Sequence, residues 1–263
     1  MGEALIGGVQ LSWREHGDGP PLLLLHESAA SGAIWDPLVA ALGTGVRSIV
    51  PDRRGWGASD APQPYVATTV EEQAADAEAL LAELDPGAAI ACGSGLGAVV
   101  ALELLLRHGD RIRAAVAVEP PLLAFVPEAT EGLGADRQAL SDAVAEGGAE
   151  AVTDLYLAGG MPFLGPGAER IPDEVAAEAR RRPRSLFAEL GAVPAWALRG
   201  AEMRALRAPA RVVVGSSTPA TLVLAARQLA DRLGSGELVE LDSGGLPHVT
   251  GAAELAGVVA ELL

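Results

Sequence analysis

Lysine is absent from this 263-residue chain, and all 19 basic residues are arginine. Chemistry that needs a lysine amine is thereby excluded, both Schiff-base formation and the phosphate cradle of a P-loop. Cysteine is nearly absent too. The single Cys92 permits no internal disulfide and no multi-cysteine metal site, and its place on an apolar run reads as a buried small hydrophobe. The four histidines (His16, His26, His108 and His248) are scattered with no His-x-x-x-His pair, so neither a metal nor a cofactor is expected. Positive charge is scarce as well. The formal net charge of −16 argues against a nucleic-acid partner, which would need a basic face. No apolar run approaches the length of a membrane span. The stretch Met1-Gly-Glu-Ala-Leu5 lacks the basic and apolar segments of a leader, so a cytoplasmic protein without a membrane partner is expected.

What is present is an alternation of apolar runs and helical patterns, with 49% hydrophobic residues to build a core. Ala4–Gly8 and Val9–His16 read as a hairpin, and Gly17-Asp-Gly-Pro-Pro21 as a turn. The continuous apolar run Pro21–His26 is the pattern of a strand covered on both faces. A helix at Ile34–Leu42, a strand at Val46–Pro51 and the glycine-punctuated loop Asp52–Asp60 follow. Thr69 with Glu72 three residues on forms a capping box that opens a helix to about Leu84. Ala88–Leu102 reads as strand, tight turn and helix, and Ile112–Val118 as a buried strand.

Between Pro120 and Arg207 helical stretches at 136–146, 150–157, 173–182 and 184–190 alternate with Gly/Pro breaks, and no strand run appears. Strands return at Arg211–Val214 and Glu237–Leu241, with helices at Pro219–Leu233 and Glu254–Leu262. Strands alternating with helices imply right-handed crossovers and a mostly parallel sheet.

Ala88–Leu102 has the shape of a nucleophile elbow, a strained turn that lifts one side chain above the sheet edge. Here the pattern is Gly93-Ser94-Gly95-Leu96-Gly97, so the apex residue is Gly95 and the nucleophile is missing. Taken with Leu22–His26, the loop Asp52-Arg-Arg-Gly-Trp-Gly-Ala-Ser59 and Val116–Pro121, the chain resembles the α/β-hydrolase superfamily over nearly its whole length. The resemblance implies an α/β fold with a mostly parallel central sheet flanked by helices and a helical lid inserted after the sixth strand. The core domain would be residues 1–119 and 208–263, and the lid 120–207.

The family pattern also implies an acid after a later strand and a histidine before the last helix. Gly215-Ser-Ser-Thr218 supplies no carboxylate where the acid usually stands, and Glu119, after the preceding strand, is the alternative. His248 lies about two positions late, and Glu27 replaces the glycine of the oxyanion loop beside His26, which in this family usually has a structural role. The expected catalytic set is therefore Glu27, Ser94, Glu119 and His248. Ser28, Trp35, Gly95, Leu96, Phe125, Tyr156, Phe163 and Trp196 are expected to bind a hydrophobic small molecule, because several of the few aromatic residues fall in the lid. Asp52 is expected to cap the loop that follows it.

Three functions fit these features. The first is acid–base or shape-directed catalysis without a nucleophile, such as cyclisation, isomerisation, dehydration or a lyase step in natural-product biosynthesis. The second is a serine hydrolase with a shifted Ser94–His248–Glu119 triad. The third is a ligand-binding pseudohydrolase without chemistry. The sequence leaves a homodimer open.

Overall fold

A computed structural model describes residues 1–165, 171–197 and 200–263. Eight strands make one sheet: β1 (Gly2–Ile6), β2 (Val9–His16), β3 (Pro21–Leu25), β4 (Arg47–Pro51), β5 (Ala89–Ser94), β6 (Ile112–Val118), β7 (Ala210–Gly215) and β8 (Gly236–Leu241). Their spatial order is β1-β2-β4-β3-β5-β6-β7-β8. β1 and β2 pair antiparallel, as do β2 and β4, and every other neighbouring pair is parallel. The first hairpin turns two residues earlier than the apolar pattern suggested. Gly7 and Gly8 (φ +57° and +82°) take the left-handed backbone that ends β1 at Ile6.

The helices are α1 (Asp36–Leu42), α2 (Val70–Leu84), α3 (Leu96–Arg107), α4 (Thr130–Leu157), α5 (Asp173–Arg181), α6 (Pro183–Glu189), α7 (Ala192–Ala195), α8 (Gly200–Ala205), α9 (Ala220–Arg232), α10 (Pro247–Thr250) and α11 (Ala252–Ala260). α4 joins the two stretches expected at 136–146 and 150–157, and it breaks helical geometry at Gly147 and Gly148 between them. The capping box before α2 is half formed. Thr69 accepts the Glu72 amide, whereas the Glu72 carboxylate turns to the Thr68 hydroxyl and to Arg54.

Period-two alternation divides the core between the two faces of the sheet. Leu23, Leu25, Ala89 and Ala91 pack with α2 and α3 on one face. Leu22, Leu24, Ile90 and Cys92 pack with α1 and α11 on the other. Both faces of β3 and β5 are thus covered, which is why these strands carry near-continuous apolar runs.

β3 lies between β4 and β5, so the chain passes to opposite sides of the sheet after β3 and after the strands beside it. Such a reversal opens a crevice beyond the carboxyl ends of the strands. Glu27 follows β3 and Gly95 follows β5, so both border that crevice.

Candidate functional site

The turn from β5 to α3 has no room for side chains on its flanks. A Cβ on Gly93 would sit 2.1 Å from the Gly97 carbonyl oxygen, and one on Gly97 would sit 2.1 Å from the Leu25 carbonyl oxygen. Both neighbours are backbone and cannot yield. At the apex Gly95 has φ +52° and ψ −121°, the strained conformation that an elbow imposes on its nucleophile. A Cβ there would meet the Cβ of Glu27 at 2.9 Å. The side chain that crowds the apex comes from the opposite loop, so a serine at 95 and a glutamate at 27 compete for one volume.

Glu27 is held by the backbone around His26. The His26 Nε2 accepts the Arg53 amide at 2.9 Å, which leaves Nδ1 as the protonated nitrogen, donating to the Glu27 carbonyl at 2.7 Å. Burial, with help from the Arg53 charge, pushes the His26 pKa down to about 4, so the ring is neutral and structural. Asp52 fixes the adjoining loops by accepting the Gly32 amide at 2.7 Å and the Ala58 amide at 2.8 Å.

The Glu27 carboxylate gathers two of the expected catalytic groups. Its Oε2 accepts the Ser94 hydroxyl and lies 3.1 Å from His248 Nε2, an ion-pair approach rather than an aligned hydrogen bond. Burial alone would raise its pKa, but the His248 charge and the Ser94 hydroxyl outweigh it and hold the group at about 2. Glu27 is therefore ionised across the physiological range.

His248 is 1% exposed and stands in the first turn of α10, a short helix absent from the sequence reading. The αL conformation of Leu246 (φ +58°) and Pro247 at the first helical position set the turn that aims the ring. Trp35 packs against the ring with centroids 4.9 Å apart and planes tilted by 48°. Nδ1 of His248 has no hydrogen-bond partner among the described residues, so no described carboxylate orients the ring from behind.

Glu119 stands at the end of β6 with φ +46°, its amide donating to the Val213 carbonyl at 2.8 Å. Its Oε1 accepts the Thr218 hydroxyl, and Thr218 Oγ1 in turn accepts the Gly215 amide at 2.8 Å. The acid candidate and the segment that lacks the usual acid are thus joined to each other.

Glu27, Ser94, Glu119 and His248 all line one cavity of about 470 Å³, together with Ser28, Gly95, Leu96, Phe125, Tyr156, Phe163 and Trp196. Trp35 does not line it. Full burial behind His248 makes it a support for the ring, a correction to its expected place in the ligand wall. Burial pushes the Tyr156 hydroxyl above its ordinary range, with the Glu27 and Glu189 charges adding to the shift, so that hydroxyl keeps its proton. Trp196 is anchored by donating from Nε1 to Glu103 at 2.9 Å, and the Arg232 guanidinium lies 4.7 Å over the Phe125 ring.

Two charged cavity residues were not foreseen. Glu189, on α6, is fully buried and accepts from Arg53 Nη1 at 2.5 Å, Trp56 Nε1 at 2.9 Å and Gln73 Nε2 at 3.1 Å. Burial opposes its ionisation, but the Arg53 charge prevails and keeps its pKa below the ordinary value. A carboxylate near the end of an amphipathic helix reads as solvated, and nothing local in the sequence marks its partners. Arg137, on α4, is the second.

Among the described residues no cluster of His, Cys, Asp and Glu could hold a metal ion, and no helix is long and apolar enough to cross a membrane. The chemistry on offer is a half-buried carboxylate beside a buried imidazole. The Ser94 hydroxyl is committed to that carboxylate.

Residues 16–258 match the model of the alpha/beta hydrolase family. The chain is 31% identical to a 2-(acetamidomethylene)succinate hydrolase of Mesorhizobium japonicum over 64% of its own length and 59% of that protein's. Among the first curated relatives it spans between 20% and 59% of their length. The structure resembles the enol-lactonase of Burkholderia xenovorans LB400 (TM-score 0.73, 24% identity, 99% of each chain). It also resembles a thermophilic esterase of Thermogutta terrifontis (TM-score 0.78, 20% identity, 99% of this chain and 97% of that one). With the elbow geometry, the sheet order and a family match over nearly its whole length, the chain belongs to the alpha/beta hydrolase family.

Proposed function

We propose that this protein is an enzyme that transforms a hydrophobic small molecule by acid–base chemistry, without a serine ester. The observation that carries the reading is the occupation of the elbow. Glu27 crowds the apex where a nucleophile would project, and its carboxylate takes both the Ser94 hydroxyl and the face of His248 that would otherwise serve that nucleophile. In this reading His248 moves the proton, Glu27 stays ionised and stabilises the imidazolium, and Ser94 steadies Glu27. Glu119, tied to Thr218, supplies a second polar contact to the ligand. Residues 120–207 act as the lid that closes an apolar wall over these groups and excludes water. Cyclisation, isomerisation, dehydration and lyase steps all fit such a site.

The names of the relatives define a first panel: hydrophobic lactones, esters, enol derivatives and epoxides, each incubated with the protein and followed by mass spectrometry. The expected products are isomers or dehydration products, formed without an acyl-enzyme. Glu27→Gln and His248→Gln should each slow the reaction by about a hundredfold or more. Hydrolysis alone, abolished by Ser94→Ala but indifferent to Glu27→Gln, would overturn the proposal in favour of the shifted triad. A ligand bound and recovered unchanged from every incubation would overturn it in favour of a binding protein.

A further inference from the structure

We infer that the ligand of this cavity carries a carboxylate on an apolar body, and that Arg137 receives the carboxylate. The inference rests on the reading of the cavity as a small-molecule site and goes beyond it in naming the ligand class. α4 carries two adjacent residues with opposite fates. Asp136 is buried and accepts the amides of Phe163 and Leu164 at 2.7 and 2.8 Å, which fixes the segment bearing Phe163 against the helix. Arg137, next in sequence, is exposed and stands on the cavity wall. It makes no ion pair or hydrogen bond among the described residues, and it is the one arginine among those that line the cavity.

Among the described residues, the remaining charges that line the cavity are engaged. Glu189 holds Arg53, Glu27 faces His248, and Glu119 is bonded to Thr218. In a chain with a net charge of −16, an acidic ligand is repelled on average, and a cation without a carboxylate partner is a place where it can be held. The planar fork of a guanidinium matches a carboxylate with two parallel hydrogen bonds. A single negative charge fits this setting better than a phosphate dianion, because Glu27 and Glu119 line the same space and most of the wall is apolar.

The test compares octanoate with octanol, which share an apolar body and differ in the head group. Affinities are measured by calorimetry at neutral pH on the wild-type protein, Arg137→Gln and Arg137→Lys. Octanoate should bind the wild type about fivefold or more tightly than octanol. Arg137→Gln should remove that preference while leaving octanol affinity unchanged, and Arg137→Lys should keep part of it. The melting temperature of unliganded Arg137→Gln should equal that of the wild type, since the side chain supports no described contact. Equal binding of the two ligands by the wild type, or a preference that survives Arg137→Gln, would overturn the inference and leave the cavity reading standing. Binding of neither ligand would overturn both.

Discussion

Gly95 and Glu27 define each other. Placing a serine at 95 puts a Cβ 2.9 Å from the Glu27 Cβ on a backbone at φ +52°. Gly95→Ser should therefore lower the unfolding free energy by about 1–3 kcal/mol in chemical denaturation. Removing the obstructing Cβ with Glu27→Gly should recover about 1 kcal/mol or more of that loss in the double variant, relative to the sum of the single changes. Strict additivity would mean that the two positions do not compete. The Glu27 carboxyl also makes stability depend on pH. Its folded pKa of about 2 lies below the ordinary 4.5, so its contribution is complete above about pH 4.5 and disappears as pH falls toward 2. The wild type should exceed Glu27→Gln by up to about 3 kcal/mol near neutrality, and the gap should close on acidification. A gap independent of pH would contradict the assigned ion pair. At this scale the sequence showed that a glycine stands at the elbow apex, because glycine spacing is local. It could not show what filled the space, because Glu27 and Ser94 are 67 residues apart in sequence and meet only when β3 and β5 pair.

Among the elements, the elbow and α6 carry the most specific constraints. The elbow works only if α3 approaches β3 at backbone distance. Gly97→Ala would set a methyl 2.1 Å from the Leu25 carbonyl, so it should destabilise by about 3 kcal/mol or more, read as a lower denaturation midpoint or loss of soluble protein. Near-wild-type stability would refute that packing. α6 is tied to the sheet through Glu189, which satisfies Arg53, Trp56 and Gln73 at once. Glu189→Gln leaves the Arg53 charge without its buried partner, and about 3–5 kcal/mol should be lost in chemical denaturation. A loss below about 1 kcal/mol would show that the network is dispensable. The long helices were legible from periodicity and caps. α7, α8 and α10 were not, because four to six residues give too little pattern, and α10 is the element that buries His248.

For the whole molecule, the order of apolar runs and helical segments was enough to read the fold. Every strand is covered or paired in a way that its composition announces, and the switch point at β3 follows from the strand order. The chemistry was less legible. It depends on which of several carboxylates and hydroxyls converge, and that is a property of the assembled crevice. The central claim is that the site has no activated serine, since the Ser94 hydroxyl donates its hydrogen bond to Glu27 and His248 faces that same carboxylate. The most direct measurement is intact-protein mass spectrometry after exposure to a fluorophosphonate, which reacts only with a serine made nucleophilic by a neighbouring base. The account predicts no adduct on the wild-type protein, whereas a stoichiometric adduct mapped to Ser94 would contradict it.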